Sequence, residues 1–102
     1  MKDLKVDELK DFISKGDTVV DFWASWCGPC KMLGPVFEEV SKELEKVKFA
    51  KADIDEVGEA AVELGVRGVP TIILFRDGKE LNRIVGFVPK DVLKSQISES
   101  FS

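Results

Sequence analysis

The chain has 102 residues, 15 of them basic and 19 acidic, for a formal charge of −4, and 44% of its residues are hydrophobic. That length suits one domain over residues 1–102 with its own core, and the apolar fraction excludes a disordered or collagen-like chain. No charge-free stretch exceeds nine residues, which excludes a membrane-spanning helix, and the acidic balance argues against nucleic acid, whose phosphates select Lys and Arg.

Leu9, Phe12 and Ile13 recur at helical spacing and predict an amphipathic helix over 7–15, with acids in its first turn and Gly16 as its stop. Thr18–Ala24 is β-branched and aromatic and, Asp21 apart, apolar on both faces. Such a strand belongs in the middle of a sheet covered on each side by helices. Leu33, Val36/Phe37, Val40 and Leu44 predict a second helix from about residue 30 to 46, with Pro35 inside it as an expected kink. Val47–Ile54 is predicted as a buried strand, 56–64 as a short helix ended by Gly65, and Pro70–Phe75 as a third strand. Asp77-Gly78 is a strong hairpin signal leading into Glu80–Val88. Pro89 then opens a last helix with Val92, Leu93 and Ile97 on one face. Strands alternating with helices imply parallel pairing, and the hairpin adds an antiparallel pair. The expected class is α/β, with a mixed central sheet of four to five strands and helices on both faces; an edge strand before residue 7 would be short or absent.

The chain contains no histidine, which removes Ser-His and Cys-His nucleophiles and imidazole metal sites. Its only two cysteines, Cys27 and Cys30, form one C-x-x-C between a predicted strand and a predicted helix. Cys27 falls at the mouth of that helix, where unpaired amides and the positive dipole end stabilise a thiolate. Pro29 suits a first helical turn, and two intervening residues keep Cys30 within bonding reach of Cys27. Three other uses of the pair compete. A purely structural disulfide closing so short a loop contributes about 2 kcal/mol. A zinc site needs four ligands, so two thiols would have to recruit carboxylates or a second chain. An inert pair is the third.

The segments DFWASWCGPCKMLGP (21–35) and GVRGVPTIILF (65–75) resemble the active-site and cis-proline segments of the thioredoxin family, and the likeness runs over essentially the whole chain in order and spacing. The resemblance implies the thioredoxin fold and a protein dithiol–disulfide oxidoreductase in which Cys27 attacks a target disulfide and Cys30 resolves the mixed intermediate. It implies that Gly28 and Pro29 tune the reduction potential. Asp21 matches a buried acid that helps deprotonate the second cysteine through a water, and Lys51 matches a lysine beside that acid. The competing readings are a strand-end Asp21 in a structural ion pair and an exposed strand Lys51 whose stem packs on apolar surface. Pro70 matches a cis proline facing the disulfide, with the Val69 backbone ready to bond an extended substrate. Trp26, Gly28, Pro29, Gly68, Val69, Pro70 and Gly86 would form the substrate platform, while Trp23 is expected to serve packing.

No G-x-G-x-x-G or phosphate-cradling glycine run occurs, so no cofactor and no metal is expected and electrons must come from a partner. The implied partners are disulfide-containing proteins and a thioredoxin reductase. MKDLKVDELK has no apolar leader, so the expectation is a cytoplasmic monomer with no membrane or nucleic-acid partner. The alternative is a redox-switched scaffold or binding subunit that uses the Trp26/Pro70 platform; a periplasmic oxidase fits the Gly-Pro dipeptide less well. Three features depart from the family pattern: the segment before the first helix is short, Val57-Gly58 stands where Asn-Pro is usual, and Phe87 after Gly86 is bulky.

Overall fold

The structure, a computed structural model, describes residues 1–102. Val6–Ile13 forms helix α1, opened by Asp7 and Glu8, with a Glu8 carboxylate oxygen accepting the Lys5 amide at 3.0 Å. Strand β1, Asp17–Trp23, is buried without a break from Thr18 to Phe22. Helix α2 spans Gly28–Glu43 and continues through Pro35. Strand β2 is Lys48–Asp53.

The single helix expected over 56–64 is two short ones, α3 (Ile54–Val57) and α4 (Glu59–Glu63). Gly58 separates them at φ 50°, ψ −117°. Its N–H closes α3 on the Ile54 carbonyl at 3.0 Å, and its own carbonyl accepts from Ala61 at 3.1 Å to start α4. Strand β3, Thr71–Arg76, joins β4, Lys79–Val85, through Asp77 and Gly78. Those two residues have φ of 50° and 85°, the primed turn whose twist matches a two-residue hairpin.

Strand β4 stops at Val85 rather than 88. Helix α5, Lys90–Phe101, is capped by Pro89 and buries Leu93 and Ile97, one helical turn apart. Val92 does not join them as its spacing predicts: it lies off that stripe and is 41% exposed.

The sheet order is β2-β1-β3-β4. Strands β1 and β2 are parallel, with Asp21 opposite Lys51 and Trp23 opposite Asp53. The parallel pairing expected for the third strand is wrong: β3 runs antiparallel to β1, with Thr71 opposite Phe22 and Arg76 opposite Asp17. Helices of four and five residues, broken at Gly58, are too short to carry the chain down the length of the sheet and return it to a parallel start. The loop after α4 instead brings the chain back to the end it left.

A fifth strand is reduced to one parallel bridge between Asp3 and Lys51. There Leu4 donates to the Lys51 carbonyl at 2.6 Å, and Lys51 donates to that of Lys2 at 2.9 Å.

The two faces of the sheet carry separate apolar layers. Leu33, Phe37 and Val40 of α2, with Leu93 and Ile97 of α5, pack on Val19, Ile72, Leu74 and Ile84. Leu9, Val57 and Ala61 pack on Val20, Phe22, Ala50, Ala52, Ile73 and Phe75 on the other side. No helix is long and apolar enough to cross a membrane. The register brings the C-terminal ends of β1 and β2 and the first residue of β3 to one end of the sheet, so the loops that follow or precede them meet there.

Candidate active site

Cys27 lies at this end as the N-cap of α2 and is disulfide-bonded to Cys30, with Cα atoms 5.3 Å apart. Its own N–H is used by the Ala24 carbonyl at 3.2 Å, Pro29 has none, and the Cys30 N–H points at the Cys27 sulfur at 3.2 Å. A helix amide aimed at Sγ is the arrangement that favours a thiolate on Cys27 once the bond is reduced.

The small size of Gly28 and Pro29 predicts an accessible Cys27 sulfur, yet with the disulfide closed both cysteines are only 5% exposed. Ser25, Trp26, Gly28 and Pro29 around Cys27 are all exposed, as are Lys31 and Met32 after Cys30.

The Val69–Pro70 bond is cis, and the Val69 carbonyl oxygen lies 3.6 Å from Cys27 Sγ. The disulfide sulfur carries no proton, so this is a contact; a reduced thiol there has an acceptor in reach. Gly68 is tied to the first residue of β3, whose hydroxyl (Thr71 Oγ1) donates to the Gly68 carbonyl at 2.6 Å. Gly86 has φ 88° and donates its N–H to the Pro70 carbonyl at 2.8 Å. That bond ends β4 and fixes the 86–88 loop beside the proline. Phe87, the bulky departure from the family pattern, is 40% exposed next to it.

Trp26 is 67% exposed, and its indole N–H donates to Asp55 at 3.1 Å. Asp55 in turn takes its place at the start of α3, where its amide is capped by Asp53 at 2.9 Å. Nothing in the sequence pattern singles out Asp55, because the two residues are 29 positions apart and meet only through the β1–β2 register.

Asp21 is fully buried on the α2 face of β1, and neither carboxylate oxygen has a hydrogen-bond partner. Burial pushes its pKa up to about 7. Lys51 opposes that rise and the negative charge of Asp3 adds to it. Trp23 does more than pack: it is half-buried, donates to Asp3 at 3.3 Å, and carries the Lys51 ammonium 4.5 Å from its ring centroid. Cys30, Trp23, Gly34 and Lys51 line one cleft on this face that opens to the surface between α2 and the strands. The structure therefore brings together Cys27, Cys30, Val69, Pro70 and Gly86, with Lys51 lining the same cleft as Cys30 and Asp21 buried opposite Lys51 on that face of the sheet.

Comparison with known proteins gives the same picture. The family model described as Thioredoxin matches residues 1–99. The chain is 50% identical over 88 residues to the thioredoxin of Mycoplasmoides gallisepticum, covering 85% of this chain and 88% of the relative. Among solved structures, a mutant thioredoxin from Halobacterium salinarum NRC-1 superposes with a TM-score of 0.87 at 40% identity, covering 99% of this chain and 92% of that one. A chain from work on the thiol resolving mechanism of yeast mitochondrial 1-Cys peroxiredoxin via glutathione/thioredoxin systems has a TM-score of 0.87 at 32% identity, covering 97% and 94%. With its C-x-x-C pair at a helix mouth on this fold, the chain belongs to the thioredoxin family and is a thioredoxin-type protein disulfide oxidoreductase that works by thiol–disulfide exchange.

Proposed function

We propose that this protein is a general reductant of disulfides in other proteins, with Cys27 as the attacking residue and Cys30 as the resolving one. The observation that carries the assignment is the Cys30 amide directed at Cys27 Sγ from the first turn of α2. In the reduced protein the Cys27 thiolate attacks one sulfur of the target disulfide, forming a mixed disulfide and expelling one target thiolate. The Cys30 thiol gives its proton to the Asp21 carboxylate and attacks Cys27 Sγ, expelling the second target thiolate. The target gains two electrons, Cys27–Cys30 closes, and the protons end on the released thiols.

The burial and missing partners of Asp21 support its role as the proton acceptor, since a carboxyl titrating near neutrality can take and return a proton there. Lys51 limits that rise. Gly28 and Pro29 add no long side chain over the sulfur and set the potential. Trp26, Gly68, Val69, Pro70 and Gly86 form the platform on which an extended target segment lies, the Val69 backbone offering its hydrogen bonds.

The wider assignments follow from the same chemistry. Two electrons must be restored after each cycle, and a thioredoxin reductase is the proposed donor. The peroxiredoxin named in the yeast work supports a thiol peroxidase as one class of target. The protein acts as a monomeric single domain over residues 1–102, in a reducing, cytoplasmic compartment, without metal or organic cofactor.

The test is insulin reduction with dithiothreitol as electron source. Wild type should accelerate it, Cys27→Ser should abolish the acceleration, and Cys30→Ser should accumulate mixed disulfides with the target. Full activity in either variant overturns the assignment. A second reading, a redox-switched binding subunit, is favoured only by the exposure of Trp26 and Met32 near the disulfide. A partner bound equally well by the double Cys→Ser variant would support it.

A further inference from the structure

Asp3, Lys51 and Asp21 stand in one row across three neighbouring segments, Asp3 bridged to Lys51 and Lys51 paired with Asp21. All three belong to the α2 face, because their neighbours Leu4, Ala50, Ala52, Val20 and Phe22 pack into the opposite layer. The row reads negative, positive, negative. A lysine directly across parallel strands from a buried carboxylate has strong reason to close on it, since the attraction grows as the dielectric falls. It does not: Asp21 has no hydrogen-bond partner, and the Lys51 ammonium rests on the Trp23 ring. The indole is held in turn by its N–H donation to Asp3.

We propose that Asp3 is a positioning residue for the proton exchange between Asp21 and Cys30: it pins the Trp23 indole, and the pinned indole parks the Lys51 ammonium on its face instead of against the Asp21 carboxyl. The inference rests on the proton-acceptor role given to Asp21 above. Asp3 acts in two ways with the same sign. Its charge disfavours ionisation of Asp21 directly, and its clamp keeps the opposing cation at a distance. Lys51 and Asp3 are the two charges that act on Asp21; Asp53, opposite Trp23, turns an oxygen to the Asp55 amide, and Met1, with its terminal ammonium, lines the cleft beside Trp23 and Lys51. On β3 the residue across from Asp21 is Ile72; from α2 the nearby group is Cys30, with Lys31 and Glu38 farther out along the lining of the cleft.

The test is a carbon NMR titration of the Asp21 carboxyl in the oxidised protein, for Asp3→Asn and Asp3→Leu, each alone and with Lys51→Met. Asp3 is exposed, so both substitutions are compatible with the fold. Asp3→Asn loses the charge but keeps an acceptor for the indole, and should lower the Asp21 midpoint slightly. Asp3→Leu loses both, frees Lys51 to approach, and should lower it by about one unit more. The Trp23 indole proton should shift in Asp3→Leu and hardly at all in Asp3→Asn. With Lys51→Met the two Asp3 variants should titrate together. Equal midpoints in the presence of Lys51, or a difference that survives its removal, overturns the clamp. Failure of the underlying reading shows elsewhere: if Asp21→Asn leaves the rate of Cys30 attack on a trapped mixed disulfide unchanged, Asp21 is not the proton acceptor, whatever the titrations show.

Discussion

Asp21 and Lys51 face each other across the two parallel strands, yet no ion pair joins them and the carboxyl stays without a partner inside the protein. A group left in that condition destabilises the fold whenever it is charged, and the cost depends on pH.

In the folded protein Asp21 titrates near 7, against an ordinary value of 3.8. Between those pH values the folded state holds a proton that the unfolded chain has released, so stability falls as pH rises from about 4 to about 7 and then levels. Asp21→Asn should remove this slope. The gain should be absent at pH 4 and reach on the order of 3–4 kcal/mol above neutrality. Urea unfolding of the oxidised protein across that range checks it; parallel curves for the two proteins would contradict it.

Lys51→Met removes the one cation that favours ionised Asp21, so the Asp21 midpoint should move further up from about 7. The same change should shift the acid limb of disulfide reduction to higher pH. A pH–rate profile of Cys30-dependent resolution measures this, and a shift to lower pH would refute it.

Trp26 offers the largest exposed apolar surface beside the sulfurs, and Asp55 fixes its orientation. Trp26→Ala should lower kcat/KM for protein disulfides by about 1–2 kcal/mol, roughly tenfold, while barely affecting a small aromatic disulfide that needs no platform. Asp55→Ala should cost less, about 0.5–1 kcal/mol, because it removes only the tether. Equal losses on both substrates would place Trp26 in the fold rather than in recognition.

Gly86 has φ 88°, and a Cβ there would meet no atom within 4 Å. Gly86→Ala should therefore cost about 1 kcal/mol through the local strain of a Cβ at positive φ, with no clash against the rest of the fold. Since its N–H holds the Pro70 carbonyl, the variant should also weaken binding of protein targets. Thermal unfolding paired with KM on a protein substrate separates the two effects.

The elements and the cysteine pair are legible in the sequence because they are local. The β-branched and aromatic run over 18–24, helical spacing after Cys30 and the Asp-Gly turn each depend on near neighbours, and each leads to an element at the right place. The direction of β3 is not legible, because it follows from how far two short helices can carry the chain and from the break that Gly58 makes between them. Val92 differs from the buried Leu93 by a single position on its helix, where one residue is a 100° rotation. At the site, Asp21 announces itself as a charge in an apolar strand. Asp3 and Asp55 do not, because an exposed acid in a chain rich in acids acquires meaning only from the indole that reaches it.

The reversal of β3 has a consequence at the other extreme of the molecule. With Arg76 opposite Asp17 and Thr18 opposite Lys48, the turns around Lys15, Glu45 and Asp77 all lie a full strand length from the sulfurs. Guest peptides, labels or tethers spliced into those bends would leave electron transfer at the opposite pole undisturbed, and a molecule anchored there would present its reactive tip outward.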